Sequence, residues 1–132
     1  MNSFQKKQFD AAIKERPYLK QLATKLLSLG GDTVVFWNPD ALTEESFVML
    51  LLTFGRISKG KPAHFQEMSR NSCHDNARAL AKRHPKRYQV ESGYTLSSDK
   101  CWRPHSWVWD VKNSRLVETT ERRLLYFGLT MQ

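Results

Sequence analysis

Cysteine is scarce in this chain: only Cys73 and Cys101 occur in 132 residues. Two thiols are too few for a disulfide scaffold at this length, so an apolar core has to hold the fold. Long hydrophobic runs are missing as well. The longest, Phe47 to Leu52, falls far short of the ~18 residues that a helical membrane span needs. The start, Met1-Asn2-Ser3-Phe4-Gln5-Lys6-Lys7, lacks the apolar segment of a secretory signal. These absences point to a cytoplasmic protein with no membrane contact. There is no glycine-rich phosphate loop: Gly30-Gly31 follows a helical pattern and precedes a strand, which is a cap position. Internal repeats and low-complexity segments are absent too.

What is present suffices for one compact core. Hydrophobic residues make up 40% of the chain, with four Trp, seven Phe and four Tyr, which argues against disorder. The length suits a single domain over residues 1–132, with a mainly helical part at 1–55 and a part at 64–128 that carries the candidate chemistry. The net charge of +8 comes entirely from residues 53–132, which hold fifteen basic and seven acidic side chains; residues 1–52 hold six of each. A basic half suits nucleic acid, an anionic membrane surface or an acidic protein partner, although here the charges are scattered rather than clustered.

Residues 4–16 carry a weak helical apolar face in Phe4, Phe9, Ala12 and Ile13. Pro17 opens a second helix, whose stripe of Leu19, Leu22, Leu26 and Leu29 is core, and Gly30-Gly31 ends it. Thr33 to Trp37 reads as a strand, and Asn38-Pro39-Asp40 as a turn. Thr43 is expected to cap a helix with Glu44 and Glu45 in its first turn. The all-round apolar Phe47–Leu52 suggests that this helix is buried. Arg56 to Ala63 reads as a basic loop. A helix from Ser72 to about His84 follows, then a strand over Tyr88–Leu96 in which Gly93 marks a bulge or a close backbone approach. Ser97 to Arg103 reads as a loop, with strands at His105–Asp110 and Leu116–Thr120. Helices followed by a small antiparallel meander make the class α+β.

The chain is organised around Asn71-Ser72-Cys73-His74-Asp75-Asn76-Ala77. Ser72 and Asp75 have the spacing of a capping box, which makes Cys73 the first helical residue. Backbone N–H groups and the positive helix end then face its sulfur, an environment that favours the reactive thiolate. A thiolate of this kind works with a base that shares its proton and a group that orients the base. His105, Trp107 and Trp109 share one face of a strand. With a four-residue loop Asp110–Asn113, Trp109 faces Ser114 and His105 faces Glu118. With a two-residue turn at Asn113-Ser114, Glu118 faces Trp109 instead; Asn-Ser is the weaker hairpin signal, so the longer loop is favoured. Cys73, His105 and Glu118 are thus the expected catalytic residues. Oxyanion donors are the Cys73 N–H together with Gln66 or Asn71, and Tyr94 and Trp107 are cleft candidates with an equally good place in the core.

Five stretches together carry a resemblance: Ser72–Ala77, Gly93-Tyr94, Pro104–Trp107, Leu116–Thr120 and Tyr126-Phe127-Gly128. They resemble small papain-like cysteine proteins, nearest the transglutaminase-like and NlpC/P60-like branch, in which Cys, His and an acid follow in that order. The resemblance covers roughly residues 64–128. It implies a central helix that begins at the cysteine, a histidine and acid on neighbouring strands, and cysteine hydrolase or acyl-transfer activity on peptide, isopeptide or amide bonds. It implies a peptide or protein substrate and no cofactor. The acid here is Glu118, where the family more often has Asp or Asn, and the N-terminal half matches no named family.

Three rival readings stand beside it. One is a catalytically inactive binding module on the same fold. Another is a nucleic-acid-binding protein that stacks bases on Trp102, Trp107, Trp109, Tyr88 and Tyr94 among its basic residues. The third, a metal site from His64, Cys73, His74 and His105, lacks paired ligand spacing, and adjacent helical residues such as Cys73 and His74 do not converge on one ion.

Overall fold

A computed structural model describes residues 1–36 and 41–131. The expected end of the first strand at Trp37 and the turn at Asn38-Pro39-Asp40 lie outside the described residues. The elements run α1 (Ser3–Glu15), α2 (Leu19–Leu29), β1 (Thr33–Val34), a 3-10 turn (Ala41–Thr43), α3 (Glu45–Phe54), β2 (Arg56–Lys59), β3 (His64–Phe65), α4 (Cys73–Arg83), β4 (Tyr88–Leu96), β5 (Cys101–Asp110), β6 (Arg115–Glu118) and β7 (Leu125–Thr130). The class is α+β. No helix among the described residues is long and apolar enough to cross a membrane.

The helices form where the apolar period dictates. In α1 a capping box joins Asn2 and Gln5. In α2 the leucine stripe buries Leu19, Leu22 and Leu26 completely. They pack with Val48 and Leu51 of α3 against Tyr94, Leu96, Trp102 and Phe127 of the sheet. Two expectations about α3 are corrected. Thr43 does not cap it: Glu44 holds the cap position without a side-chain bond, and the Thr43 hydroxyl accepts from Arg16 instead. Nor is the helix buried all round. Phe47, Val48 and Leu51 are buried, whereas Met49, Leu50 and Phe54 are exposed, because only one face meets the sheet and α2.

The sheet is larger than a small meander, and it is mixed. Its order is β2-β7-β4-β5-β6-β3, and β1 also pairs with β5. The β4–β5–β6 meander is antiparallel, but β1 and β3 run parallel to β5 and β6. The C-terminal strand β7 inserts between β2 and β4. Arg56–Lys59 is therefore an edge strand rather than part of a basic loop; its alternation is hidden because it is largely exposed. Likewise β5 starts at Cys101 instead of after Arg103, since β1 pairs with Cys101 and Trp102. Gly93 is a close approach and not a bulge. Its register with both neighbours is unbroken, and a Cβ there would collide with the Phe127 carbonyl oxygen.

Two consequences of this topology create the site. First, β4 occupies one edge of β5 throughout, while β1 and β6 share the other edge, at Cys101–Trp102 and Val108–Asp110 respectively. Among the described residues, no strand pairs with the middle of that second edge, around His105 and Ser106. Second, β6 and β7 stand three places apart, about 14 Å in a flat sheet. Yet the Tyr126 hydroxyl is 2.6 Å from Glu118 Oε1, so the sheet curls and brings the two strands together on the face that carries His105, Trp107 and Glu118.

Candidate active site

α4 starts at Cys73, as the sequence implied, but without the capping box. The Ser72 side chain makes no cap bond to the helix; its hydroxyl donates to the Arg70 carbonyl at 3.4 Å. The chain turns into the helix at Asn71, whose φ of +59° is left-handed, a conformation that Asn tolerates better than most residues. The first turn is fastened from the side instead. Asn76 Nδ2 donates to the Ser69 carbonyl at 2.8 Å and to Thr119 Oγ1 at 3.2 Å. His74 Nδ1 lies 3.0 Å from Ser106 Oγ, which lies 2.7 Å from Ser92 Oγ. These contacts tie the helix start to β4, β5 and the end of β6 and set Cys73 beside the middle of β5, where the Ser106 backbone N–H favours its thiolate.

The hairpin register matches neither alternative read from the sequence. The loop has four residues, Val111–Ser114, so Trp109 pairs with Leu116 and not with Ser114. Continued, this register sets Glu118 opposite Trp107, diagonal to His105 and on the same face. A diagonal separation is within reach of long side chains. His105 Nε2 lies 2.9 and 3.0 Å from the two Glu118 oxygens. The two-residue slip in register does not change the face, because both positions keep the same parity.

Both members of this pair are buried, His105 at 4% and Glu118 at 0% exposure. Oε2 of Glu118 also accepts from the Thr119 and Thr120 N–H groups and the Thr120 hydroxyl, at 3.0, 3.0 and 3.1 Å. Tyr126 donates to Oε1. Burial disfavours the charged carboxylate, but the bond from His105, its charge and the Tyr126 and Thr120 donors outweigh burial and hold the Glu118 pKa at about 2. Burial also opposes the His105 cation, and the contacts with Cys73 and Glu118 overcome it, so the imidazole pKa is raised. At Cys73 burial again works against the charge. The interaction with His105 and the Ser106 N–H prevail, and the thiol pKa is lowered. The thiol is shifted down and the imidazole up, the directions that favour charge on both groups. Nε2 is engaged by Glu118, so Nδ1 is the ring nitrogen left for the sulfur.

The pair opens into a groove of about 890 Å³ whose lining includes Arg70, Asn71, Cys73, Arg103, His105, Thr120 and Arg123. Cys73 is half-buried and Cys101 buried; burial pushes the Cys101 thiol up. Of the two oxyanion candidates, Asn71 lines the groove. Gln66 is not among the lining residues; its backbone N–H donates to the Glu118 carbonyl at 2.8 Å. Tyr94 and Trp107 are core residues, at 0% and 1% exposure. Tyr94 donates its hydroxyl to the Leu42 carbonyl. Trp107 donates Nε1 to Glu91 at 2.8 Å and stacks on the His105 ring at 6.1 Å between centroids. Thr120, Tyr126, Ser106 and Asn76 were not among the residues expected at the site. All four stood in stretches that carried the family resemblance, but nothing local announces that a tyrosine on β7 meets an acid on β6.

Among the described residues no group of three or more His, Cys, Asp or Glu side chains is arranged to hold a metal ion. The rings proposed for base stacking are mostly core: Tyr88, Tyr94, Trp102 and Trp107 are buried. Compared with known proteins, the chain matches no family model, no curated protein and no solved structure.

Proposed function

We propose that this chain is a cysteine-dependent hydrolase or acyltransferase acting on a peptide, isopeptide or amide bond, with a papain-like arrangement of helix and strands. One observation supports it above the rest: a buried His105–Glu118 pair in contact with a thiol at a helix start, at the wall of an open groove. Nothing in core packing calls for such a set, because burying a charged pair costs free energy unless its contacts compensate. The Cys73 thiolate attacks the carbonyl carbon, forming a C–S bond and an oxyanion. The Cys73 N–H at the helix start is the natural donor to that oxyanion, and the Asn71 side chain is a second. His105 gives its proton to the leaving amine as the C–N bond breaks. Water, or an amine in transfer, then attacks the thioester and passes a proton to His105, and the thiolate leaves. Glu118 orients the imidazole throughout.

Cys73→Ala is expected to keep the melting temperature of the parent protein and to lose turnover of an amide or ester substrate completely. Turnover retained in that variant would refute the mechanism.

A further inference from the structure

Glu118 is held asymmetrically. Oε2 is fixed by two backbone N–H groups and the Thr120 hydroxyl, all within its own strand end and the following turn. His105 Nε2 faces both oxygens, 2.9 Å from Oε1 and 3.0 Å from Oε2, whereas the Tyr126 hydroxyl donates to Oε1 alone, at 2.6 Å. Tyr126 is 1% exposed, and its ring meets Trp107 edge-on at 5.0 Å between centroids. Trp107 in turn stacks on His105. Tyr126 thus touches both groups that hold the imidazole, the carboxylate at its edge and the indole at its face.

From this geometry we infer that Tyr126 is a positioning residue which shares Glu118 Oε1 with His105 and so tempers the carboxylate's hold on the imidazolium. The inference rests on the Cys73–His105–Glu118 assignment. Burial and the neighbouring Glu118 charge push the Tyr126 hydroxyl well above its usual pKa, so it stays a donor. With the hydroxyl gone, Oε2 would still anchor Glu118 in place, and Oε1 would serve His105 alone. The imidazolium would then be held more tightly. The other charged and titratable groups acting on His105 are Cys73 from α4 and Arg123 from the loop before β7. Arg123 Nε is 3.9 Å from Oε1. From β4, Glu91 is directed to Trp107 Nε1 and Arg56, and across the groove Asp99 is paired with Arg103.

Alkylation by iodoacetate tests this without knowledge of the substrate. The anion is drawn to a thiolate beside an imidazolium, so the rate at Cys73 falls when His105 loses its proton. The rate is followed against pH by peptide mass spectrometry, with Cys101 as internal reference. Tyr126→Phe is expected to move the falling limb upward by roughly half a unit to one unit. Replacing the tyrosines by 3-fluorotyrosine, a stronger donor of nearly the same shape, is expected to move it downward, and that arm carries the test if Tyr126→Phe fails to fold. A purely structural role would not give shifts of opposite sign. An unmoved limb in protein whose Cys73 still outpaces Cys101 would overturn the role of Tyr126 alone. Equally slow alkylation of Cys73 and Cys101 in the parent protein would overturn the triad, and the role of Tyr126 with it.

Discussion

Glu118→Gln removes one charge from the most enclosed part of the site and keeps its shape. The amide can satisfy its surroundings in only one orientation. Its oxygen must take the place of Oε2, because the Thr119 and Thr120 N–H groups there cannot turn away. Its NH2 then replaces Oε1 and points at Tyr126 and His105. The Tyr126 hydroxyl can rotate to accept, and His105 Nε2 keeps the amide oxygen at the Oε2 position, 3.0 Å away, as its acceptor. What the ring loses is the neighbouring negative charge that favours its protonated form. Folding stability should fall as well. The Glu118 pKa moves from an ordinary 4.5 to about 2 in the folded protein, which corresponds to on the order of 3 kcal/mol. A depressed carboxylate pKa stabilises the fold fully above the unfolded value, and this contribution disappears as the pH drops from about 4.5 to about 2. Urea unfolding at neutral pH should therefore find the variant less stable by about 3 kcal/mol. The two stability curves should converge through that acid window, where the parent carboxyl takes up its own proton. Parallel curves across the window, or a variant as stable as the parent at neutral pH, would refute the reasoning.

Two further substitutions probe the frame around the site. Gly128→Ala places a Cβ against the Trp107 ring, 2.5 Å from its nearest carbons, and is expected to cost about 1–3 kcal/mol as overpacking; an unchanged melting temperature would contradict the described packing. Asp110→Asn weakens the hairpin at its base, where the buried carboxylate accepts from Arg87 at 3.2 and 3.1 Å and from the Asn113 side chain at 2.8 Å. A loss of about 1–3 kcal/mol is expected in urea unfolding, with Cys73 reactivity unaltered at neutral pH; full stability would count against the bonded network.

The helices and the class of fold were legible because their signals are local. The Leu19–Leu29 stripe, the start at Cys73 and the strands at Tyr88–Leu96 and after His105 need only periodicity and turn chemistry. The remaining parts were hidden in long-range pairing. β2 looked like a basic loop because an exposed edge strand shows little alternation, and β7 was not read as a strand because its partners, β2 and β4, lie at least 28 residues away in sequence. That Cys73, His105 and Glu118 come together was readable from their type and order, but their register was not. Parity on a strand survives a two-residue slip, so Glu118 reached His105 diagonally even though the expected opposite pairing did not form. The curl that joins β6 to β7, and with it the bond from Tyr126, has no local signature at all. The cap at Ser72 shows the converse: the motif is present, but Asn76, His74 and Ser106 do the fastening.

A reduced Cys73 with a lowered pKa beside His105 is the centre of this account. The most direct test is the rate of iodoacetamide alkylation at neutral pH, read separately at Cys73 and Cys101. The half-buried Cys73, its thiol pKa lowered, is expected to react at least about ten times faster than the buried Cys101, whose thiol pKa is raised, and to lose that advantage in His105→Ala. Equal and slow labelling of the two thiols, or a fast Cys73 that is indifferent to the loss of His105, would contradict the account.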